Sequence, residues 1–255
     1  MIHPTAIISP DAALQSGVSV DAFSIIDRDV TIGEDSSIAA NVRIEPFTTL
    51  GKRCKIFHGA VIGGIPQDLK FNGEPSELII GDDTAVREYA VIHRGTAATG
   101  KTVIGKNCLI MNYVHVAHDC VIGNHVILSN AVNMAGHVII EDFAGIGGMV
   151  PVHQFIRIGQ HAFVGGGYRI AQDVPPYVLA AGEPLRYAGL NYVGLRRRNF
   201  SEEQIRSIEK AYHILYREKL NRATALTRIK EAMSLTPEIE SIINFFEKSE
   251  RGVIR

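Results

Sequence analysis

Residues 103–146 read VIGKNCLIMNYVHVAHDCVIGNHVILSNAVNMAGHVIIEDFAGI, and an aliphatic residue stands at every sixth position from Ile104 to Ile146. The same period begins at Ile2 and, with two interruptions, continues to Ile170. A unit of one short strand and one turn cannot bury its apolar side alone, but stacked units can bury a continuous core. The sequence therefore predicts a mainly β protein, a parallel β-helix in which three hexapeptides make one triangular coil.

Two further positions of the repeat are regular. The fourth residue after each aliphatic anchor is small or β-branched, and all three cysteines, Cys54, Cys108 and Cys120, fall there. We interpret these cysteines as small buried hydrophobes and not as disulfide partners or metal ligands. The residue directly after the anchor is often glycine, as at Gly105 and Gly123, which we interpret as a corner with unusual backbone angles.

The period divides the chain. Its two interruptions, residues 63–79 and 94–103, contain loop formers and charges, and insertions in a solenoid often carry function. We place the β-helix at residues 1–190 with these two projecting loops, and a C-terminal helical domain at residues 191–255. In the second part, Ser201 with Gln204 predicts a capping box, a second helix follows Asn221, and Thr236-Pro237 predicts a third helix start.

Charge and composition argue against several classes of protein. The formal net charge is −1, so we expect no nucleic-acid binding. No signal peptide and no apolar run long enough for a membrane span are visible, and we expect a cytoplasmic protein. The first 195 residues carry a net charge of −5 and the last 60 carry +4. The basic end either attracts an acidic partner or is an ordinary solvated helix surface.

The repeat places several of the ten histidines in space. His118 and His137 are separated by one coil plus one residue, so His137 should lie over Asp119, and Gly136 over His118. A histidine base, a carboxylate and a glycine N–H that a substrate can approach are the parts of an acyl-transfer site. Zinc is the competing use of clustered histidines, since three such ligands can converge on one ion.

Local motifs outside the generic repeat resemble one family. These are QDLK (67–70), IHRGT (92–96), HVAHDC (115–120), AGHV (135–138), GGMVPVHQF (147–155) and AQDVPPY (171–177). Over essentially the whole chain they are similar to the UDP-N-acetylglucosamine acyltransferases of lipid A biosynthesis. The resemblance implies a left-handed β-helix, a homotrimer with sites between subunits, and transfer of a (R)-3-hydroxyacyl chain from acyl carrier protein to the 3-hydroxyl of UDP-N-acetylglucosamine. No cofactor and no metal are implied.

The resemblance also implies residue roles. His118 would be the general base, Asp119 would orient it, and the backbone N–H of Gly136 would stabilise the oxyanion. Gly166 would act as a ruler that admits a long acyl chain. Substrate contacts would come from Asp68, Lys70, His93, His115, His137, His153, Gln154, Asn191, Arg197 and Arg198.

Four alternatives stay open. Val193 stands where the family usually has Glu, which leaves room for the 3-amino analogue of the sugar as acceptor. The related UDP-3-O-acylglucosamine N-acyltransferase normally carries an additional N-terminal domain, whereas here the repeat begins at Ile2. A β-helical zinc carbonic anhydrase would use the histidines as ligands. A structural solenoid would show flat Thr-rich faces, which the repeat does not contain.

Overall fold

The computed structural model describes residues 1–255, which form 26 short strands and four helices. In chain order the strands are β1 (Ile7–Ile8), β2 (Ala13–Leu14), β3 (Ser19–Val20), β4 (Ile25–Ile26), β5 (Thr31–Ile32), β6 (Ser37–Ile38), β7 (Arg43–Ile44), β8 (Thr48–Leu50), β9 (Lys55–Ile56), β10 (Val61–Gly64), β11 (Glu77–Ile80), β12 (Ala85–Val86), β13 (Val91–His93), β14 (Lys101–Ile104), β15 (Leu109–Ile110), β16 (His115–Val116), β17 (Val121–Ile122), β18 (Ile127–Leu128), β19 (Asn133–Met134), β20 (Ile139–Ile140), β21 (Gly145–Ile146), β22 (Pro151–Val152), β23 (Arg157–Ile158), β24 (Phe163–Val164), β25 (Val178–Ala181) and β26 (Arg186–Leu190). The helices are α1 (Tyr192–Arg197), α2 (Glu202–Arg217), α3 (Arg222–Ala232) and α4 (Pro237–Lys248).

Every third strand belongs to the same sheet. Three parallel sheets result, one running from β1 to β22, one from β2 to β23 and one from β3 to β25, and only β26 pairs antiparallel, with β25. In the register, Val116 pairs with Met134, and Met134 with Val152. Each coil thus stacks on the next with anchor over anchor, and the predicted left-handed parallel β-helix is confirmed.

The anchors fill the inside of this triangular prism. Ile104, Val116 and Leu128 are at most 1% exposed. The three cysteines are free and buried among these anchors, as predicted. Removal of apolar surface from water is the term that holds a stack of two-residue strands together, since each strand makes few hydrogen bonds of its own.

The unusual backbone angles at the corners lie at a different position of the repeat from the predicted one. The residue three places after the anchor carries the positive φ, for example 61° at both Asp119 and His137. Gly105 and Gly123, directly after their anchors, have no positive φ, so the prediction of unusual backbone angles at these glycines was wrong. A Cβ on Gly105 would instead lie 2.6 Å from the carbonyl carbon of Gly123 in the next coil. Close stacking of coils, not backbone freedom, requires glycine at this position.

The two loops are shorter than predicted. β10 continues through Gly64, β11 begins at Glu77 and β14 begins at Lys101. Glu77 pairs with Lys101 and Leu78 with Thr102, so the predicted loop ends add two residue pairs to this ladder of the prism. Residues 65–76 and 94–100 are left to project.

The helices begin where their caps were predicted, but one cap lacks its hydrogen bond and one helix was not predicted. Ser201 and Gln204 form the capping box, and the Asn221 side chain accepts from the N–H of Thr224. Thr236 precedes α4 but makes no side-chain cap bond. The short helix α1 was not predicted, because six residues show no clear apolar period.

The chain end returns to the prism. Asp173 pairs with Val253, and one continuous core of 61 buried residues includes both prism and helices. A division into units at residue 190 therefore stays a prediction, since the two parts share one core. None of the helices is long and apolar enough to cross a membrane.

Candidate active site

His118 lies at a corner of the prism beside a buried carboxylate. Its Nδ1 is 2.7 Å from Oδ2 of Asp119, and the His118 side chain is 14% exposed. An ionised carboxylate can only accept, so Nδ1 donates the proton and Nε2 keeps its lone pair. The pair is therefore arranged to present Nε2 as a proton acceptor.

The second loop fixes Asp119. Its carboxylate accepts from the backbone N–H of Thr96 at 3.0 Å, from Thr96 Oγ1 at 2.7 Å and from Thr99 Oγ1, while Thr102 Oγ1 accepts the Asp119 N–H at 2.9 Å. Burial alone would raise the pKa of Asp119, but the hydrogen bonds from Thr96, Thr99 and His118 outweigh it and lower the pKa to about 2. The carboxylate stays ionised at any working pH, so it can stabilise a protonated His118.

Sequence reasoning missed these threonines. The period stops at residue 93, so nothing in the repeat predicts which loop side chains turn back to the prism. A buried Asp within reach of a Thr-rich loop was the available signal, since buried carboxylates need donors.

Gly136 lies over His118, as the register predicts. A Cβ on Gly136 would fall 2.6 Å from Cε1 and 2.8 Å from Nε2 of His118, so only glycine fits against the ring. The Gly136 N–H makes no backbone hydrogen bond. A free backbone donor close to Nε2 of a histidine base is the geometry that an oxyanion site needs.

The other histidines of this corner surround the pair. Nε2 of His137 is 3.7 Å from Oδ2 of Asp119, and its ring stacks on Phe155 at 4.6 Å. The rings of His93 and His115 lie 5.1 Å apart, and burial lowers the pKa of both. His93 Nε2 and both His115 nitrogens are buried without a hydrogen-bond partner. A polar ligand at this corner could supply the hydrogen-bond partners that these ring nitrogens lack.

The first loop closes one side of the corner. Nδ1 of His93 contacts the carbonyl oxygen of Ile65 at 2.8 Å, and Glu74 accepts from the N–H of Ala97, which ties the two loops together. Asp68 Oδ1 accepts from the N–H of Lys70 at 3.0 Å in an exposed turn. Asp68 and Lys70 thus lie in the first loop a few residues after Ile65, with Asp68 half-exposed and Lys70 exposed.

A second group of predicted residues lies on a different edge of the prism. Asn191, Arg197 and Arg198 line a cavity of about 690 Å³ between α1 and the upper coils, together with Phe143 and His161. The guanidinium of Arg198 stacks over the Phe143 ring at 4.2 Å. One chain does not bring this group next to His118.

Asn191 has a structural role of its own. Its Oδ1 accepts from the N–H of Gly194 at 3.1 Å and caps α1, while its Nδ2 donates to the carbonyl oxygen of His161 at 2.9 Å. Both ends of the amide are occupied by the chain, so Asn191 positions the helix that carries the two arginines. Val193 also lines the cavity and is 62% exposed.

Gly166 and His153 complete the predicted set. Gly166 belongs to the column of Gly148, on the third edge, where a Cβ would meet the Gly148 carbonyl oxygen at 3.1 Å. His153 and Gln154 follow Val152, one coil above Gly136, and both are exposed. The predicted residues therefore occupy all three edges of one prism.

His161 was assigned no role from the sequence, yet it is 8% exposed and lines the cavity. Burial, followed by the charge of Arg198, lowers the pKa of His161 to about 4. As the pH falls below about 6.5, the unfolded chain binds a proton that the folded chain refuses, so stability falls until pH 4. The variant His161→Phe keeps the stack on Phe143 but cannot bind this proton. Between pH 6.5 and 5, we expect the free energy of unfolding of wild type to fall by about 2 kcal/mol more than that of the variant.

Denaturant unfolding at both pH values checks this expectation. His213→Phe is the matched control, because the His213 side chain is 64% exposed. Equal losses for wild type and His161→Phe would show that His161 is not held neutral by burial.

Comparisons with known proteins show which family the chain belongs to. Residues 173–254 match the family described as "Udp N-acetylglucosamine O-acyltransferase; Domain 2", and residues 101–136 match "Bacterial transferase hexapeptide (six repeats)". The acyl-[acyl-carrier-protein]–UDP-N-acetylglucosamine O-acyltransferase of Thermodesulfovibrio yellowstonii is 47% identical over 255 residues, covering 100% of this chain and 99% of the relative. The chain belongs to the UDP-N-acetylglucosamine O-acyltransferase family.

Two further relatives support the same family assignment. The enzyme of the same description from Myxococcus xanthus is 45% identical, covering 100% of this chain and 99% of its own. The crystal structure of a UDP-N-acetylglucosamine acyltransferase from Bacteroides fragilis has a TM-score of 0.98 at 48% identity and covers 100% of both chains. The family resemblance inferred from the loop motifs is confirmed.

Proposed function

We propose that the chain transfers a (R)-3-hydroxyacyl group from acyl carrier protein to the 3-hydroxyl of UDP-N-acetylglucosamine by general-base catalysis. The observation that carries this is the His118–Asp119 pair, packed against Gly136, whose backbone N–H donates to no backbone carbonyl. The names of the relatives supply the two substrates. The first step of lipid A biosynthesis is the corresponding place in metabolism.

The proposed reaction needs no covalent intermediate. His118 Nε2 removes the proton of the 3-hydroxyl as that oxygen bonds to the thioester carbonyl carbon. The carbonyl electrons move to the oxygen, where the Gly136 N–H stabilises the charge, and one such donor is worth about 2.7–4 kcal/mol. When the C–S bond breaks, the thiolate of the carrier takes the proton from Nε2. Asp119 keeps its charge throughout and holds the imidazolium in place.

A donor and acceptor panel tests this proposal. The purified chain is incubated with several 3-hydroxyacyl carrier proteins against UDP-N-acetylglucosamine and its 3-amino analogue, and products are identified by mass. Formation of the 3-O-acyl sugar nucleotide is expected. A chain that acylates only the 3-amino analogue would support the alternative acceptor suggested by Val193, and no product with either acceptor would contradict the function.

We propose further that the active unit is a homotrimer with sites between subunits. His118 and the Arg197–Arg198 pair lie on different edges of one prism, so one chain alone cannot bring them to the same substrate. Exposed aliphatic side chains on the outer faces, Val121, Ile127 and Ile139 at 44%, 40% and 42% exposed, give apolar surface for neighbours.

Mixed oligomers test the shared site. We expect His118→Ala and Arg198→Ala each to be nearly inactive alone and activity to return when both chains are co-expressed, because some sites then combine an intact His118 with an intact Arg198. A mixture no more active than the two variants separately would contradict sites formed between chains. Light scattering gives the subunit number independently.

The proposed ruler predicts a change in donor length. Gly166→Met fills the space above the Gly148 carbonyl oxygen, so we expect preference to move to shorter acyl donors by about 10-fold or more in kcat/KM. Competition between long and short acyl carrier proteins measures the ratio directly. Gly145→Ala is the control, since its Cβ would meet only the exposed Phe163 ring. An unchanged donor preference for Gly166→Met would end the ruler proposal.

A β-helical zinc carbonic anhydrase is the second candidate, and one observation favours it. His118, Asp119 and His137 offer ligand atoms within 4.8 Å of one another, enough for one ion. The Nδ1 hydrogen bond of His118 to Asp119 uses the atoms that zinc would need. Stoichiometric zinc together with loss of turnover in a chelator would favour this candidate over the acyltransferase.

A further inference from the structure

The carboxylate of Asp119 has every acceptor position occupied. Its Oδ1 accepts from the backbone N–H of Thr96 at 3.0 Å and from the hydroxyl of Thr99. Its Oδ2 accepts from the hydroxyl of Thr96 and from Nδ1 of His118, both at 2.7 Å. An ionised carboxylate offers about four lone-pair positions, two on each oxygen, so these hydrogen bonds saturate it. All the donors except His118 belong to the second loop, so this loop decides which position is left for a histidine.

His137 lies beside the same carboxylate but does not donate to it. Its Nε2 is 3.7 Å from Oδ2 of Asp119, which is too far for a hydrogen bond. Its ring meets the His118 ring edge to face, with the ring centres 5.2 Å apart. Two histidines therefore flank one carboxylate, and only His118 is bonded to it. Without the Thr96 hydroxyl, Oδ2 would have a lone pair free for the second ring.

The second loop holds the Thr96 hydroxyl in a fixed direction. The N–H of Gly100 donates to the Thr96 carbonyl oxygen at 2.8 Å, which closes the loop on itself. The Thr96 hydroxyl accepts from the N–H of Ala98 at 3.2 Å, and its one proton is left for Asp119. Thr96 is 6% exposed, so the protein and not water supplies these partners.

The hydroxyl of Thr99 can donate to only one of two acceptors. The Lys101 carbonyl oxygen lies 3.0 Å away, and Oδ1 of Asp119 is also within hydrogen-bond distance. Hydrogen bonds to an ionised acceptor are roughly twice as strong as those to a neutral one, so the proton goes to the carboxylate. Thr99 itself is exposed, so its side chain can be replaced without disturbing the core.

We propose that Thr96 and Thr99 are positioning residues that direct Asp119 to His118 and away from His137, an inference that rests on the proposed function. The two donors on Oδ1 keep the carboxylate from turning, and the Thr96 hydroxyl leaves one lone pair on Oδ2. The Nδ1–H of His118 takes this position, which keeps Nε2 of His118 unprotonated as the base. His137 has no carboxylate to fix its tautomer, so the loop determines which histidine transfers the proton.

Removal of the Thr96 hydroxyl tests this role. We expect Thr96→Val to lower kcat at least 10-fold and to leave both KM values within about twofold, because a misplaced base slows the chemistry and not the binding. Thr96→Ser restores the hydroxyl and should return kcat to within about threefold of wild type. Thr99→Val, at an exposed position, should lower kcat by about threefold or more with an unchanged thermal midpoint.

Thr84→Val is the matched control. The Thr84 hydroxyl is buried, donates to the Gly105 carbonyl oxygen at 2.8 Å and accepts from the Cys108 N–H at 3.1 Å. The substitution thus removes a hydroxyl that also donates one hydrogen bond and accepts one, but at a different corner, between β11 and β12. We expect Thr84→Val to lower the thermal midpoint and to keep kcat within about twofold of wild type.

NMR spectra give a second readout that does not depend on turnover. In protein with isotope-labelled histidine, the ring signals of His118 are identified by their absence in His118→Ala. We expect wild type to show one His118 tautomer, with the proton on Nδ1, and Thr96→Val to show exchange between two tautomers. In the same variant, His137 should gain a hydrogen-bonded ring proton, because Oδ2 of Asp119 is then free to accept it.

The outcomes separate this inference from the proposed function. Wild-type kcat and an unchanged His118 tautomer in Thr96→Val would overturn the positioning role and leave the proposed function intact. An equal loss of kcat in Thr84→Val would also overturn it, because packing would then explain both losses. Absence of transfer by wild type would instead refute the proposed function, and the NMR spectra would still show whether the threonines direct Asp119. A loss confined to Thr96→Val that Thr96→Ser reverses, together with mixed tautomers, would support the inference.

Discussion

Replacing His118 with Ala is expected to lower kcat at least 1000-fold, within the roughly 10²–10⁴-fold range that general-base catalysis contributes. Asp119 cannot substitute, because three donors besides His118 hold its carboxylate and its pKa is about 2. His137 is 3.7 Å from the same carboxylate but stacks on Phe155, so its ring is not free to take over. Turnover with acyl carrier protein and UDP-N-acetylglucosamine, measured at saturating substrate, gives the ratio.

Folding of the variant should be unaffected in its main features. The His118 side chain lies outside the aliphatic core, and its removal leaves the stacked anchors unchanged. His213→Ala, on the outer face of α2, serves as the control and should retain wild-type turnover. If His118→Ala kept a tenth of wild-type activity with an unchanged thermal midpoint, another group would have to be the base.

The register of the prism could be predicted from the sequence because the core determines it. Each anchor must enter the interior, so a slip of one residue would expose the apolar set, and residues 18 apart must stack. His118 and His137 are 19 residues apart, one more than a coil. His137 therefore stacks over Asp119, and Gly136 over His118. The capping box at Ser201 was predictable for a similar local reason, since two side chains satisfy two helix N–H groups.

Features that depend on close approach between distant segments could not be predicted in this way. Thr96 and Thr99 reach Asp119 from a segment without a period, and the repeat contains no information about the path of that segment. The occurrence of glycine at position 105 was explained wrongly, because a positive φ and close stacking of coils both favour glycine. His161 was missed because its burial depends on α1 and the residues that follow it, which show no apolar period.

The interruptions of the repeat thus supply the parts that a regular prism lacks. A hexapeptide corner presents its side chains to solvent, where a lone carboxylate would titrate and move. The second loop covers Asp119 until it is 3% exposed and gives it donors from Thr96 and Thr99. The regular stack supplies the proposed base and the glycine, and the insertion makes the carboxylate rigid and keeps it ionised.

Gly136→Ala is expected to lower kcat by about 100-fold or more while the protein still folds, because a displaced base or oxyanion donor costs that much in acyl transfer. The new Cβ would lie 2.6 Å from Cε1 of His118, so the ring must move. Asp119 holds the ring through Nδ1 at 2.7 Å, so a shift of the ring strains that hydrogen bond. The substitution does not alter the loops and arginines that we propose bind the substrate, so KM for UDP-N-acetylglucosamine should change little.

Gly148→Ala separates this steric effect from the general effect of adding a methyl group. Gly148 occupies the corresponding corner position on another edge, and its Cβ would meet only the Asn130 carbonyl oxygen at 3.2 Å. We expect Gly148→Ala to keep kcat within about threefold with a short acyl donor, since a shift of a few tenths of an ångström relieves the contact. Equal losses in both variants would mean that the corner glycines are needed for packing alone. A loss confined to Gly136→Ala, together with shifted imidazole resonances of His118 in NMR spectra, would tie the glycine to the position of the base.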